Sequence, residues 1–424
     1  QVSNPPSKRH RVKSATTFST MSRRAKLSSP AARVGLAAGL GLLAAGCAQD
    51  APQDVWDPAG PNAQRINDLD WVVFSIAGVV GVIVLTFVAI IVVKFRDRGQ
   101  AIPEQTHGRP ALEIGLTILP ALILIGIAIP TVGTIMALND TDDTECIVNV
   151  TGQQWWWEVD YAQQDGCGGI AEPIVTSGQM VIPVNTPVLV RGTSRDVIHS
   201  WWIPRLNGKR DMVPGRVHTV RLEADQPGIY AGQCTEFCGL SHANMRMEVI
   251  ALEPDDFEAW KAQQLAPYEA PAADTLAATG EQTFIAQCSR CHQVNGIEDA
   301  DGEPVIARPD LNVYSGAAPN LSYFATRNTF AGASWDLLSP GECRADVWES
   351  DHATFGEKYL AGVSADCLNS VDLREWLRNA PAKKPMYTDP EKLAETNELP
   401  RGMPNLALSE DQIDELIAYL LERK

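Results

Sequence analysis

Cys234-Thr235-Glu236-Phe237-Cys238-Gly239-Leu240-Ser241-His242-Ala243-Asn244-Met245 sets two thiols, an imidazole and a thioether in one short loop. A second imidazole, His199, comes 35 residues before Cys234 in Asp196-Val197-Ile198-His199-Ser200-Trp201-Trp202-Ile203-Pro204. This donor set is soft and suits copper, whereas Mg and Ca want oxygen ligands. One Cys, two His and a weak Met make a mononuclear electron-transfer copper; a second Cys lets two thiolates bridge two coppers. Spreading one unpaired electron over both metals keeps geometry changes small on reduction. A Cys234–Cys238 disulfide and a tetrahedral zinc site are the rival readings of the same residues. The Met after His242, the His ending a β run and the membrane anchor beside them favour copper.

Around this loop, short β-rich runs are broken by turn residues at 146–150, 180–184, 187–191, 216–222 and 246–251. Regular short strands without a helical period predict an all-β sandwich or barrel over 139–262. Residues 263–275, rich in Pro, Ala and Glu, read as a linker. From 276 to 424 the pattern is helical. It is clearest at the end, where Ser409 caps a helix with Gln412 as capping-box partner and Ile413, Leu416, Ile417, Leu420 and Leu421 form one stripe.

Upstream, 71–93 and 114–137 are charge-free apolar runs, each long enough to span a bilayer, and together they predict a transmembrane hairpin over 71–138. Their connection carries Lys94, Arg96, Arg98 and Arg109, and the outer flanks carry Asp68, Asp70, Asp140, Asp142, Asp143 and Glu145. By the positive-inside rule the connection is cytoplasmic, and 47–70 and everything after the hairpin are extracytoplasmic. Residues 1–46 read as a signal peptide: eight basic side chains and no acidic one in 1–33, then a short apolar run from Val34 to Gly46. The small residues before Cys47 resemble a bacterial lipoprotein signal, with Cys47 as the lipidated residue and Ala44 where Leu is commonest.

The chain has 424 residues, a net charge of -17 and nine cysteines. Its acidity argues against nucleic acid as a partner and is compatible with a basic protein donor. Cys288-Ser289-Arg290-Cys291-His292 is a c-type haem attachment signature: two thioethers fix the porphyrin and the adjacent His reaches the iron. A Cys-x-x-Cys redox pair is the rival reading. A Met as sixth ligand raises the potential and closes the iron to oxygen, and two Met lie downstream, Met386 and Met403.

The copper loop, the His199 segment and the two spans resemble subunit II of haem-copper cytochrome c oxidase. The resemblance implies a cupredoxin-like Greek-key domain carrying a dinuclear CuA centre. Its ligands would be the side chains of His199, Cys234, Cys238, His242 and Met245 and the Glu236 carbonyl, and the Glu236 carboxylate would reach a Mg shared with subunit I. Gly152-Gln153-Gln154-Trp155-Trp156-Trp157 resembles the family's aromatic segment, which makes Trp155 the point where electrons enter. Glu113 matches a Glu at the mouth of a proton channel. Met403-Pro404-Asn405-Leu406 resembles the Met-Pro segment of class I cytochromes c, as fused to subunit II in caa-type oxidases. Ala318-Pro319-Asn320-Leu321-Ser322, Trp376 and Lys384-Pro385 match that fused domain too. Met403 is therefore preferred over Met386, and 335–372 stands out as an insertion.

The implied function is the electron-accepting subunit of a proton-pumping terminal oxidase in the bacterial cell membrane. Its implied partners are subunit I with haem a and copper, subunit III, membrane lipid, and a cytochrome c or cytochrome bc complex as donor. A stand-alone membrane-anchored copper and haem electron carrier is the alternative. With Cys47 assigned to lipid, Cys234 and Cys238 to copper, and Cys288 and Cys291 to haem, four cysteines remain. They pair most simply as Cys146–Cys167 and Cys343–Cys367. Cleavage before Cys47 would remove the eight basic residues and take the charge from -17 to -17 - 8 = -25.

Overall fold

A computed structural model describes residues 51–99, 107–144, 146–161, 167, 174–297, 318–389, 391 and 401–424. The 1–46 leader and Cys47 lie outside these residues. Both charge-free runs are helical: α1 spans Pro61–Lys94 and α2 spans Pro110–Leu138, each opening on a Pro that its first turn tolerates. Both are long and apolar enough to cross a membrane, and their apolar side chains face outward.

The first helix starts at Pro61, earlier than the 71 expected from hydropathy. Residues 61–70 are polar because they have a different neighbour. Asn62 and Asn67 are buried, and the Asn62 side-chain amide donates to the Arg221 carbonyl at 3.1 Å. Just before the helix, the Ala59 amide donates to the Arg205 carbonyl at 2.8 Å. The end of the 47–70 segment is thus a helical foot on the β domain.

That domain comprises β1 (Cys146–Gln153), β2 (Trp156–Tyr161), β3 (Ile174–Ser177), β4 (Gln179–Pro183) and β5 (Val188–Ser194), followed by β6 (His199–Trp201), β7 (Arg210–Met212), β8 (His218–Leu222), β9 (Gly228–Gln233) and β10 (Arg246–Leu252). One sheet runs β3-β2-β1-β5-β8, a second runs β4-β10-β9, and β6 pairs with β7. Burial alternates along β1, as expected for a strand with one face on a core. Trp157, Trp201, Met180 and Met212 fill the space between the layers. Subsequently α3 (Pro254–Gln264) closes one end, its Trp260 ring 5.1 Å from that of Tyr161.

In the helical part, α4 (Leu276–Gln287) crosses α8 (Glu410–Leu421). A Cβ on Gly280 would stand 2.0 Å from the Glu415 carbonyl oxygen, so only glycine permits this close approach. The Ser409–Gln412 capping box forms, and Ile413, Leu416, Ile417 and Leu420 are buried. The insertion holds α5 (Glu342–Trp348) and α6 (His352–Leu360), and α7 (Ser370–Lys383) follows. Cys343 is joined to Cys367 within it, and Cys146 to Cys167 in the β domain. The insertion lies against the β domain: His352 Nδ1 is 2.8 Å from the Pro227 carbonyl, and Gln179 donates to the Tyr359 hydroxyl.

Candidate metal and haem sites

Strand β6 and the β9–β10 connection bring the soft donors together. Cys234 Sγ lies 3.8 Å from Cys238 Sγ, 3.9 Å from His199 Nδ1 and 3.3 Å from the Glu236 carbonyl oxygen. Cys238 Sγ lies 3.5 Å from His242 Nδ1 and 3.8 Å from Met245 Sδ. Each sulfur of the central pair thus faces one imidazole and one weaker donor, a two-fold pattern that fits two metals rather than one. Main-chain bonds fix the loop, among them Cys234 N to the Met245 carbonyl at 2.9 Å and Thr235 N to the Ser200 carbonyl at 3.1 Å.

The electrostatics of the thiol pair favour a bound cation. The hydrogen bond from Cys238 is the main reason the Cys234 thiol is held far below its ordinary range, and that same bond pushes the Cys238 thiol up. One thiolate forms readily, and the second needs a positive partner. Burial disfavours charge on His199, but hydrogen bonds to Asp196 and Cys234 outweigh it and raise its pKa. His199 Nε2 is 2.9 Å from Asp196 Oδ1, which aims Nδ1 at the sulfurs, as carboxylates behind metal-binding imidazoles do. Asp196 was not singled out in the sequence, although its position three residues before His199 was a readable signal. Gly152 is required beside the ring, since a Cβ there would lie 2.8 Å from His199 Cδ2. The donor set and this geometry fit copper.

In the helical domain, Cys288, Cys291 and His292 line a cavity of about 530 Å³ together with Phe284, Trp376, Met386 and Met403. The Pro319 carbonyl is 2.7 Å from His292 Nδ1, which leaves Nε2 for a ligand bond. Burial lowers the His292 pKa and favours the neutral, metal-binding form. Burial also pushes the Cys288 thiol up to about 12 and raises Cys291. A redox Cys-x-x-Cys pair needs a depressed thiol pKa, so this environment disfavours that rival and suits thioether attachment. Both Met line the cavity, and the Met403 amide lies 3.2 Å from Met386 Sδ. Arg327, missed in the sequence, is a buried cation on the same wall without a carboxylate partner among the described residues.

Trp155 joins the two sites. It lines the cavity, and its indole Nε1 donates to the Cys238 carbonyl at 3.1 Å. The Gln154 side-chain amide donates to the same carbonyl at 2.7 Å. Glu113 stands apart, in the first turn of α2, with roughly 37 Å of helix between it and the β domain end. Glu236 is half-buried, whereas Phe237 beside it is 78% exposed.

A hairpin of apolar helices, a two-sheet β domain and a loop of paired soft donors define a membrane-anchored cupredoxin-like protein. Comparison narrows the class. Residues 146–252 match the model of the cytochrome c oxidase subunit II periplasmic domain, and 48–133 match that of its transmembrane domain. Subunit 2 of cytochrome c oxidase from Alkalihalophilus pseudofirmus is 33% identical over 395 residues, covering 91% of this chain and 95% of that one. Its counterpart from Bacillus sp. strain PS3 is 31% identical over 337 residues, covering 76% and 77%. The periplasmic domain of oxidase subunit II from Bradyrhizobium japonicum is 28% identical over 28% of this chain and 94% of that one, with a TM-score of 0.26. The chain belongs to the subunit II family of cytochrome c oxidase. It is a component of a haem-copper oxidase complex, a partner of subunit I, and a membrane protein with an extracytoplasmic C-terminal part.

Proposed function

We propose that this subunit takes electrons from a cytochrome c or cytochrome bc complex and relays them from a covalent haem c to a CuA centre. Subunit I, with haem a and copper, would then reduce oxygen to water with proton pumping. Bound haem and copper would supply the electron-accepting levels. This chain's residues hold, orient and shield them: Cys288, Cys291, His292 and Met403 the haem; His199, Cys234, Cys238, His242, Met245 and the Glu236 carbonyl the coppers.

The observation that carries this reading is the Trp155 indole, which forms part of the cavity wall and hydrogen-bonds the Cys238 carbonyl. Trp155 is 2% exposed, so an external donor docked on the β domain would not touch it. Electrons therefore reach it from the chain's own haem domain, which makes that domain the donor's target. Phe237 and Leu240 in the donor loop, and Val197 and Ile198 beside His199, are exposed apolar residues, which supports the outer face of that loop as the surface for subunit I.

In this reading the Glu236 carboxylate contributes to a Mg site with subunit I. Glu113, at the charged end of the hairpin, serves a proton path. Cys47 carries lipid, and subunit III completes the complex. The relay is tested by metal and haem analysis of the complex purified from its native membrane, followed by rapid reduction. Two coppers and one haem c per subunit, with haem reduced before copper, are expected. Copper reduced first, or no covalent haem, would sink the relay.

A further inference from the structure

The stretch after α7, Lys384-Pro385-Met386-Tyr387, lies across the donor loop while its Met386 lines the haem cavity. Ser241, between Cys238 and His242, donates to the Pro385 carbonyl, and the Tyr387 ring is 5.1 Å from that of Trp155. Lys384 itself is 3% exposed. Its ammonium donates to the Trp155 carbonyl at 2.9 Å and to the Ala331 carbonyl at 2.8 Å. The first acceptor belongs to the β domain and the second to the helical domain. No carboxylate lies within ion-pair reach of Lys384 among the described residues. Burial lowers the Lys384 pKa from 10.5 to about 7, and since the nitrogen donates in either protonation state, these two carbonyls set its position.

Resting on the relay reading above, we infer that Lys384 is a positioning residue for haem-to-copper electron transfer, pinning Trp155 and the 331–334 loop to one side-chain nitrogen. Other contacts also cross between the domains here: the Arg246 amide donates to the Gly332 carbonyl at 3.1 Å, the Ser334 hydroxyl donates to the Asn244 carbonyl, and Arg401 Nε lies 3.9 Å from Asp196 Oδ2. Lys384 differs from these in that a single side-chain nitrogen ties a carbonyl of each domain. Gly332 leaves the room this needs, because a Cβ there would lie 2.7 Å from the Trp155 carbonyl oxygen and 3.0 Å from the Lys384 ammonium. In each transfer one electron leaves the haem and one arrives at the copper pair. Its rate falls steeply as the gap between them widens, so a small loss of register is costly.

The test uses the assembled oxidase with the full chain. Lys384→Met keeps the length of the side chain and removes the donor. We expect the visible haem band and the near-infrared copper band to match those of the wild type. Haem-to-copper transfer should slow by about tenfold or more and become dependent on solvent viscosity, because the two domains must then search for their pose. Transfer at the wild-type rate without viscosity dependence would overturn the inference. Should Lys384→Met fail to assemble, Lys384→Leu, which likewise removes the donor, is put through the same comparison. A wild-type complex lacking either band would instead defeat the relay reading itself.

Discussion

The indole N–H of Trp155 and the main-chain carbonyl of Cys238 meet at 3.1 Å, across the boundary between the donor loop and the cavity lined by Cys288, Cys291 and His292. Trp155→Phe keeps an aromatic ring and removes that bond. The Gln154 amide still serves the same carbonyl, so the near-infrared copper band should persist while haem-to-copper transfer slows. Flash reduction of the haem followed at both bands checks this.

Cys238→Ser removes one of the two sulfurs that stand 3.8 Å apart. The near-infrared absorption and delocalised EPR signal of a mixed-valence pair should vanish while the haem spectrum remains. Persistence of both copper signals would defeat the dinuclear assignment.

Met403→Ala should convert a low-spin haem to one that binds CO. An unchanged spectrum would move the axial ligand to Met386, whose sulfur lies 3.2 Å from the Met403 amide.

Glu248, on β10, is buried against the insertion, and burial, with Asp336 adding to it and Arg344 opposing, raises its pKa from 4.5 to about 8. Below pH 4.5 the acid is protonated whether the chain is folded or unfolded. Between 4.5 and about 8 only the unfolded chain releases the proton, so stability falls as pH rises through this window and then levels. Glu248→Gln should flatten that slope in thermal unfolding of the purified chain from pH 5 to 9. An unaltered slope would show that Glu248 does not set it.

Cys343→Ser opens a loop whose ends are 24 residues apart in sequence. Chain entropy predicts a loss of about 3 kcal/mol, read as a lower unfolding midpoint in denaturant.

The donor loop was legible because Cys234, Glu236, Cys238, His242 and Met245 are neighbours in the chain, and local spacing alone brings them together. The clustering of Cys288, Cys291 and His292 on one cavity wall was legible for the same reason. What sequence spacing does not carry is the seam between the domains. Lys384 and Trp155 are 229 residues apart, and neither residue type at its own position signals the other. The polar residues Asn62 and Asn67 read as the end of a span because hydropathy registers lipid, and their burial against a protein surface gives no apolar signal.

Because α1 runs without interruption from its contact at Asn62 to Lys94, it works as a spacer of fixed height between bilayer and β domain. Adding one residue near position 70 would lift the domain by about 1.5 Å and turn it by about 100°. The exposed face around Phe237 would then point elsewhere, with every donor of the loop intact.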